Sequence, residues 1–279
     1  MVAETFTFFF TMQDDLKVDS LFSVRGTTAV VTGGLRGIGA MITRTLLCNG
    51  VRVIAVSRRA SQADADALVA RCGVDTSQLV AVQADITNDD GLAAMLAALK
   101  VAAVRRVHLL VNNSGAVWAE PFEAFSRHAW KKVLDLNLES VFNVTRALLP
   151  LLEASGDGRV VNIGSIDGLA VRDVPHYSYA ASKAAVHMLT RTMAWHFARD
   201  RRCVTVNAIA AGLFPSDMTK GLIHSVGGLD KFEADIPLRR AGQAKDIGAA
   251  VLWLASPGGA WITGTIITVD GGALLKSNM

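Results

Sequence analysis

A tyrosine and a lysine stand four residues apart in the stretch Tyr179-Ala-Ala-Ser-Lys183. The surrounding apolar spacing predicts a helix, which places both side chains on one face. A phenol is a poor base at neutral pH because its ordinary pKa is about 10. A nearby ammonium, together with the positive ring of an oxidised nicotinamide, favours the phenolate. The pair could therefore exchange a proton with a substrate oxygen while hydride moves. Tyr177 is a rival phenol, but Ala181 and not a lysine follows it by four residues.

Ser165 precedes Tyr179 and ends the run Val-Val-Asn-Ile-Gly-Ser, which predicts a buried strand over residues 159–165. Parallel sheets build their active sites at the carboxyl ends of their strands. A hydroxyl there can hold a carbonyl oxygen as charge develops on it. A serine at a strand end is more often a turn former. Only its partnership with Tyr179 makes Ser165 a catalytic candidate.

A glycine-rich turn, Thr-Gly-Gly-Leu-Arg-Gly-Ile-Gly, follows the first predicted strand and covers residues 32–39. Glycines allow the backbone to turn sharply and to approach a pyrophosphate closely. A helix that starts near Gly37 points its free N–H groups at the same anion. The glycine spacing differs from the general G-x-G-x-x-G fingerprint. Its position between a strand and a helix nevertheless predicts a dinucleotide site.

The residues after the second predicted strand indicate which dinucleotide is bound. An NAD site carries an acidic residue there for the ribose hydroxyl. This chain has Ser57, Arg58 and Arg59 instead, and no Asp or Glu until Asp64. Arg36, inside the glycine turn, could face the same phosphate, and guanidinium groups bind phosphate through two hydrogen bonds. NADP(H) is therefore predicted over NAD(H), the alternative being a solvated basic turn.

Apolar, β-branched runs alternate with helix-like stretches along the whole chain, which predicts right-handed crossovers and an α/β fold. The expected architecture is one doubly wound parallel seven-stranded sheet, Rossmann-like, in a domain over residues 25–279. Residues 213–238 have no strand pattern, so we expect a helical substrate lid there, or a plain helical hairpin that completes the core. The predicted strands cover residues 28–32, 51–57, 79–85, 107–112, 159–165, 203–209 and 265–269.

Composition excludes several other classes of protein. Hydrophobic residues make up 51% of the chain and charged residues 19%, too little charge for a disordered chain. The net charge is only +3, and without a dense basic stripe no nucleic-acid partner is expected. The three cysteines and six histidines lack metal-ligand spacing, so no metal is expected. No apolar run reaches the roughly 18 residues of a membrane span.

The first 24 residues read as an N-terminal extension with a phenylalanine cluster. No basic region precedes that cluster and two aspartates follow it, which is unlike a signal peptide or a mitochondrial presequence. The extension is expected either to pack on the domain or a subunit contact, or to be disordered. A cytoplasmic location is expected.

The motifs together resemble those of the short-chain dehydrogenase/reductase family, in its compact T-G-x-x-x-G-I-G subtype, over roughly residues 25–273. The resemblance implies that Ser165, Tyr179 and Lys183 are catalytic and that Asn137 helps to hold a water-linked proton path to the lysine. The stretch Asn-Asn-Ser-Gly at residues 112–115 matches the family's N-N-A-G motif. The implied cofactor-binding residues are Gly33, Leu35, Arg36, Gly37, Ile38, Gly39, Ser57, Arg58, Arg59, Asp85, Ile86, Asn113, Gly115, Tyr179, Lys183, Gly212, Phe214 and Ser216.

Three positions depart from the family pattern. Ser114 replaces an alanine, Ala211 replaces the proline before Gly212, and Ser216 replaces a threonine but keeps a hydroxyl. The proline change is expected to loosen the turn beside the nicotinamide without removing a reacting group.

Trp118 and residues 212–219 narrow the resemblance to 3-oxoacyl-[acyl-carrier-protein] reductases of the rhamnolipid-synthesis type. That resemblance implies that NADPH reduces a 3-oxoacyl thioester, carried on CoA or on an acyl carrier protein, to its 3-hydroxyacyl form. It also implies a homo-oligomer, a tetramer built on the long helices. Another ketone substrate (a sugar, polyol, steroid or xenobiotic) and a non-catalytic NADP-binding sensor or scaffold are the alternatives.

Overall fold

The computed structural model describes residues 16–275, and a seven-stranded parallel sheet runs through them. The strand order is β3-β2-β1-β4-β5-β6-β7, and every neighbouring pair is parallel. The predicted doubly wound Rossmann-like fold is confirmed. The strands are β1 Thr28–Thr32, β2 Arg52–Ser57, β3 Leu79–Gln83, β4 Leu109–Asn112, β5 Gly158–Ile163, β6 Val204–Ala211 and β7 Ile266–Val269.

Helices cover both faces of the sheet, as the alternation of apolar runs predicts. The α-helices of the described residues are α1 Val18–Leu21, α2 Gly37–Cys48, α3 Gln62–Ala70, α4 Asp89–Val101, α5 Arg127–Leu134, α6 Ser140–Glu153, α7 Tyr177–Arg199, α8 Lys220–Ser225, α9 Leu229–Ala234 and α10 Ala244–Ala255. A π-helical turn, Asp135–Glu139, joins α5 to α6 without a break.

Two apolar cores lie on opposite faces of the sheet, because successive strand residues point to opposite sides. In β1, Val31 belongs to the core beneath α2, α3 and α10, while Val30 belongs to the core beneath α4, α6 and α7. Both valines have no solvent exposure. Burial on both faces is why the strands read as unbroken apolar runs.

The order of the strands reverses at β1, which pairs with β2 on one side and β4 on the other. A crevice therefore opens between the carboxyl ends of β1 and β4. The Thr32 hydroxyl links these two ends, since it accepts hydrogen bonds from the backbone N–H groups of Asn113 (2.9 Å) and Ser114 (3.0 Å). The fold thus places the glycine turn beside the Asn-Asn-Ser-Gly motif.

Several predicted element ends differ from the structure. β3 ends at Gln83 and β5 at Ile163, so Asp85 and Ser165 lie in the loops after these strands and are not their last residues. β6 continues to Ala211, two residues beyond its predicted end. Each of these ends depends on ladder hydrogen bonds to a neighbouring strand, which local apolar patterning does not encode.

Residues 213–238 form two short helices, α8 and α9, after β6. Phe214 is buried, whereas Met218 and Val226 are exposed. The segment ends where the backbone N–H of Leu238 donates to the carbonyl of Gly271 (3.1 Å). It is thus anchored in the domain at both ends, and its function as a lid stays a prediction.

The predicted N-terminal extension is described only from Leu16 onward, and residues 1–15 lie outside the described part. α1 lies in this stretch, and Val24 at its end is buried in the core beneath α2 and α10. Across residues 16–275, no helix is both long and apolar enough to cross a membrane. The same residues contain no cluster of His, Cys, Asp and Glu that could hold a metal ion.

Candidate active site

A cavity of about 370 Å³ opens at the carboxyl ends of the strands, within the size range of small-molecule sites. Its walls bring together every predicted cofactor-binding residue except Gly39. Residues that the sequence analysis did not select also line it: Ala84, Ser114, Leu136, Ile163, Gly164, Ala211, Asp217, Met218 and Thr219.

The glycine turn forms one wall of the cavity. Gly33 and Gly37 have positive φ angles of 66° and 52°, a conformation that glycine adopts without strain. Gly39 lies behind the turn, because a Cβ there would overlap the Gly33 carbonyl oxygen. It therefore allows α2 to pack against the turn and does not line the cavity. α2 begins at Gly37 with no side-chain cap, so its first N–H groups remain available to an anion.

A basic rim borders the same wall. Arg58 and Arg59 are exposed, and the Arg36 guanidinium lies 3.8 Å from the Asp64 carboxylate with half of its side chain in solvent. Asp217 also lines the cavity near this rim. Its ion pair with Lys220, and then the charges of Arg36 and Arg59, hold its pKa below the ordinary value.

Asp85 lies on the cavity wall close enough to Arg58 for the two charges to interact. Its carboxylate accepts hydrogen bonds from the Thr87 backbone N–H (3.1 Å) and hydroxyl (2.7 Å). Partial burial acts to raise the pKa of Asp85, but these bonds and the charge of Arg58 outweigh it and the pKa is lowered. An ionised Asp85 therefore holds the turn that leads into α4.

Tyr179 and Lys183 lie one helical turn apart on α7, as the sequence predicts, and both line the cavity. The Lys183 ammonium donates to the Ile163 carbonyl at the end of β5 (2.8 Å) and lies 5.6 Å from the centre of the Tyr179 ring. Burial lowers the pKa of Lys183 to about 8, although the charge of Asp167 opposes this effect.

The Tyr179 phenol differs from the sequence-based expectation. Burial raises its pKa to about 12, a hydrogen bond with Ser165 partly opposes that rise, and the charge of Asp167 adds to it. The positive charge of Lys183 was expected to lower this pKa. Of the effects that the protein itself exerts on the phenol, desolvation of the phenolate is larger and raises the pKa. The surrounding residues thus hold the phenol protonated, the form that donates a proton.

Ser165 is buried at the second position after β5 and caps the short 3₁₀ turn Ile166–Gly168. Its hydroxyl accepts a hydrogen bond from the Asp167 backbone N–H (3.1 Å) and also contacts Tyr179. It does not line the cavity. Ser165 thus forms the turn and contacts the phenol, while its expected contact with a carbonyl oxygen stays a prediction.

Asn137 is buried in the π-helical turn between α5 and α6. Its amide donates to the Ala116 carbonyl (2.9 Å) and the Ser182 hydroxyl (3.0 Å), and its oxygen accepts from the Ala116 N–H (2.8 Å). These bonds join the loop after Gly115 to α7. The expected water-linked path from Asn137 to Lys183 stays a prediction.

His187 was not selected from the sequence, although it follows Lys183 by one helical turn. The ring is 2% exposed, and neither ring nitrogen has a hydrogen-bond partner among the described residues. Burial lowers its pKa to about 4, so the imidazole is neutral at physiological pH. A Cβ at Gly164 would overlap this ring, so the glycine before Ser165 is required there. The spacing of four residues from Lys183 was the sequence signal that could have identified His187.

The turn after β6 forms the remaining wall. The Gly212 N–H donates to the Val269 carbonyl (2.9 Å), and a Cβ on Gly212 would lie 2.7 Å from the Cα of Asp270. The sheet ladder thus continues to Gly212 without the proline, and the expected loosening of this turn stays a prediction. Ser216 is held by its N–H, which donates to the Thr219 hydroxyl (2.9 Å).

Residues 33–273 match a protein family described as "Enoyl-(Acyl carrier protein) reductase". The chain is 38% identical over 255 residues to the "Rhamnolipids biosynthesis 3-oxoacyl-[acyl-carrier-protein] reductase" of Pseudomonas aeruginosa, covering 90% of this chain and 97% of that one. It is 35% identical to "Galactitol 2-dehydrogenase (L-tagatose-forming)" of Cereibacter sphaeroides, covering 91% and 97%.

The fold superposes on the solved structure "Pseudomonas aeruginosa RhlG/NADP active-site complex" with a TM-score of 0.82 at 38% identity. The match covers 91% of this chain and 98% of the solved one. The seven-stranded sheet and the cavity at its carboxyl edge are therefore the architecture of a protein solved with NADP at its active site.

Proposed function

Because the chain belongs to the short-chain dehydrogenase/reductase family, we propose that it reduces a 3-oxoacyl thioester to the 3-hydroxyacyl form with NADPH. The observation that carries this proposal is the convergence of Tyr179, Lys183 and the glycine turn on one cavity. A proton donor and a dinucleotide site on the same cavity suit carbonyl reduction.

The chain's own residues have separate tasks in this reaction. NADPH supplies the hydride when it is bound. Tyr179 donates its proton to the substrate oxygen as negative charge develops there. Ser165, bonded to the phenol, holds that oxygen and the Tyr179 hydroxyl in line. Lys183, fixed on the Ile163 carbonyl, keeps a positive charge beside the phenol and stabilises it once the proton has left.

Selection of NADPH over NADH rests on the basic rim. Arg36, Arg58 and Arg59, with Ser57, line the cavity where a ribose phosphate would be held. The Asp85 carboxylate interacts with the charge of Arg58, but it also accepts hydrogen bonds from Thr87. The three guanidinium groups therefore suit a 2′-phosphate, which a carboxylate in their place would repel.

A thioester substrate is supported by the name and similarity of the P. aeruginosa reductase and by apolar Phe214 and Met218 on the cavity wall. The similarity to galactitol 2-dehydrogenase favours a second candidate, a sugar or polyol substrate. A non-catalytic sensor is disfavoured, because Ser165, Tyr179 and Lys183 are all present.

The test is NADPH oxidation by the full chain with acetoacetyl-CoA, a 3-oxoacyl carrier-protein thioester and a series of keto sugars. Thioester turnover is expected, and Tyr179→Phe should lower kcat by about 10²–10⁴-fold while NADPH still binds. If only the keto sugars were reduced, the second candidate, a sugar or polyol substrate, would be the correct one. Cofactor binding without turnover of any carbonyl would contradict the enzyme assignment.

We further propose that the protein is a cytoplasmic homotetramer. α6 and α7 expose large apolar side chains, with Phe142 46%, Met188 60% and Trp195 68% accessible in one chain. Such side chains on long surface helices are typical of subunit contacts. The absence of a disulfide framework among the described cysteines, which are free thiols, agrees with a reducing compartment.

A further inference from the structure

A carboxylate and an imidazole lie beside Tyr179 and have no task in the reaction described above. Asp167 is in the 3₁₀ turn after Ser165, and its backbone N–H donates to the Ser165 hydroxyl (3.1 Å). Its carboxylate lies 3.5 Å from Nε2 of His176, the residue that precedes α7. The two side chains therefore connect the loop after β5 to the start of the helix that carries Tyr179.

His176 contacts the reacting phenol directly. Its ring meets the Tyr179 ring edge-on, with centres 5.5 Å apart and planes at 85°, an arrangement that aromatic rings favour. Only 6% of the residue is exposed. Burial lowers the pKa of His176, while the charge of Asp167 acts to raise it and that of Arg172 acts to lower it. An imidazole held in this way restricts the Tyr179 ring from its other side.

Asp167 also acts on both reacting groups through its charge. The carboxylate raises the pKa of Tyr179 and opposes the fall in the pKa of Lys183. A negative charge disfavours the phenolate and favours the ammonium, so both effects have the sign that electrostatics requires. The groups that face the phenol are Ser165, His176, Asp167 and Lys183, and of these Asp167 is the only carboxylate within the described residues.

We propose that Asp167 and His176 are positioning residues, a carboxylate–imidazole pair that fixes the Tyr179 ring and keeps its hydroxyl as a proton donor. The pair extends the pH range over which the site reduces a carbonyl and restricts alcohol oxidation to higher pH. The overall equilibrium is unchanged, because the pair acts only on the enzyme's protonation state. This inference rests on the proposed function in assigning the proton transfer to Tyr179.

The sequence offers a direct readout, since the chain has two tyrosines, Tyr177 and Tyr179. In a Tyr177→Phe background, which retains the ring that packs on Phe122 and Phe125, the ultraviolet absorbance of tyrosinate reports Tyr179 alone. Asp167→Asn should shift this titration to lower pH by about half a unit or more. The measurement requires no substrate and is made with and without NADP⁺.

Three further variants separate charge from structure. Asp167→Glu keeps the charge and should titrate like the parent chain. Asp173→Asn removes a charge from the same loop at an exposed position and should leave the titration unchanged. His176→Phe keeps an aromatic edge against Tyr179, so it should retain more of kcat than His176→Ala, with similar KM values.

Kinetics in both directions complete the test. With Asp167→Asn, loss of reduction at high pH and onset of oxidation should both move to lower pH, because one phenol controls both. An unshifted tyrosinate titration in a folded Asp167→Asn variant, or an equal shift with Asp173→Asn, would overturn the proposal. If the parent chain turned over no carbonyl while Asp167→Asn still shifted the titration, the proposed function would fail and the electrostatic pairing would stand.

Discussion

At the scale of single residues, burial determines the charges of the site. The pKa of Tyr179 is raised to about 12 and that of Lys183 is lowered to about 8, each toward the neutral form. The four-residue spacing was sufficient to predict that the two side chains share a helix face. It could not predict their burial, which depends on the loops after β4 and β5 and on the start of α7.

The arginines of the basic rim yield the first residue-scale prediction. The double substitution of Arg58 and Arg59 by alanine should raise the KM for NADPH by at least about 100-fold, because charge-assisted hydrogen bonds contribute about 1.5–3 kcal/mol each. The KM for NADH should change little, since NADH lacks the phosphate. Steady-state kinetics with both cofactors measure this difference.

Arg71→Ala is the matched control, because Arg71 is exposed at the end of α3 and does not line the cavity. An equal rise in KM for both cofactors in the Arg58/Arg59 variant would mean that the pair supports the site in general and does not recognise phosphate.

At the scale of elements, hydrophobic periodicity was a good guide to the strands and a poor guide to the irregular segments between them. Each predicted strand overlaps an observed one. The π-helical turn Asp135–Glu139 was not predicted from the sequence, and it continues from α5 into α6 without a break. Such turns accommodate an extra residue and are frequent at functional sites. Here the turn directs Asn137 between two segments that are distant in sequence.

Asn137 yields the element-scale prediction. Asn137→Ala removes three hydrogen bonds within the protein and leaves the half-buried N–H and carbonyl of Ala116 without these partners. It should lower the free energy of unfolding by about 1–3 kcal/mol and should lower kcat more than it changes KM. Urea unfolding and steady-state kinetics measure the two effects.

Asn137→Asp is the informative comparison for that variant. It keeps the acceptor for the Ala116 N–H but buries a carboxylate against the Ala116 carbonyl, so its stability should fall at least as far as that of Asn137→Ala. If Asn137→Ala unfolded at the same urea concentration as the parent chain, the prediction that Asn137 stabilises the fold by joining Ala116 to Ser182 would be wrong.

At the scale of the whole molecule, the fold was predictable and the outer surface was not. Alternating apolar runs predict the parallel sheet, because burial on both faces leaves a strong pattern. Asp167 and His176 were not predicted as site residues, because a carboxylate in a loop and a histidine before a helix form no recognisable sequence pattern. Exposed apolar side chains on α6 and α7 are visible only once the helices are placed.

The oligomer gives the prediction at this scale. The parent chain should elute as a tetramer, and Met188→Glu combined with Trp195→Glu should yield smaller species, because charges at a buried contact are costly. Size-exclusion chromatography with light scattering measures the mass. Val101→Glu, at the exposed end of α4, should remain a tetramer. A monomeric parent chain would contradict the assignment of these helices to a subunit contact.

The contact of Gly212 with Asp270 has a consequence for how the protein is synthesised. The glycine turn and β1 leave the ribosome early, and the first half of the sheet can begin to fold while translation continues. The wall formed by the turn after β6 packs against Asp270, directly after β7, and residues 213–238 close onto Gly271. A ribosome-bound nascent chain that has not yet released β7 can therefore present a nucleotide turn, but it has no complete substrate chamber. Maturation of the catalytic centre therefore waits for β7.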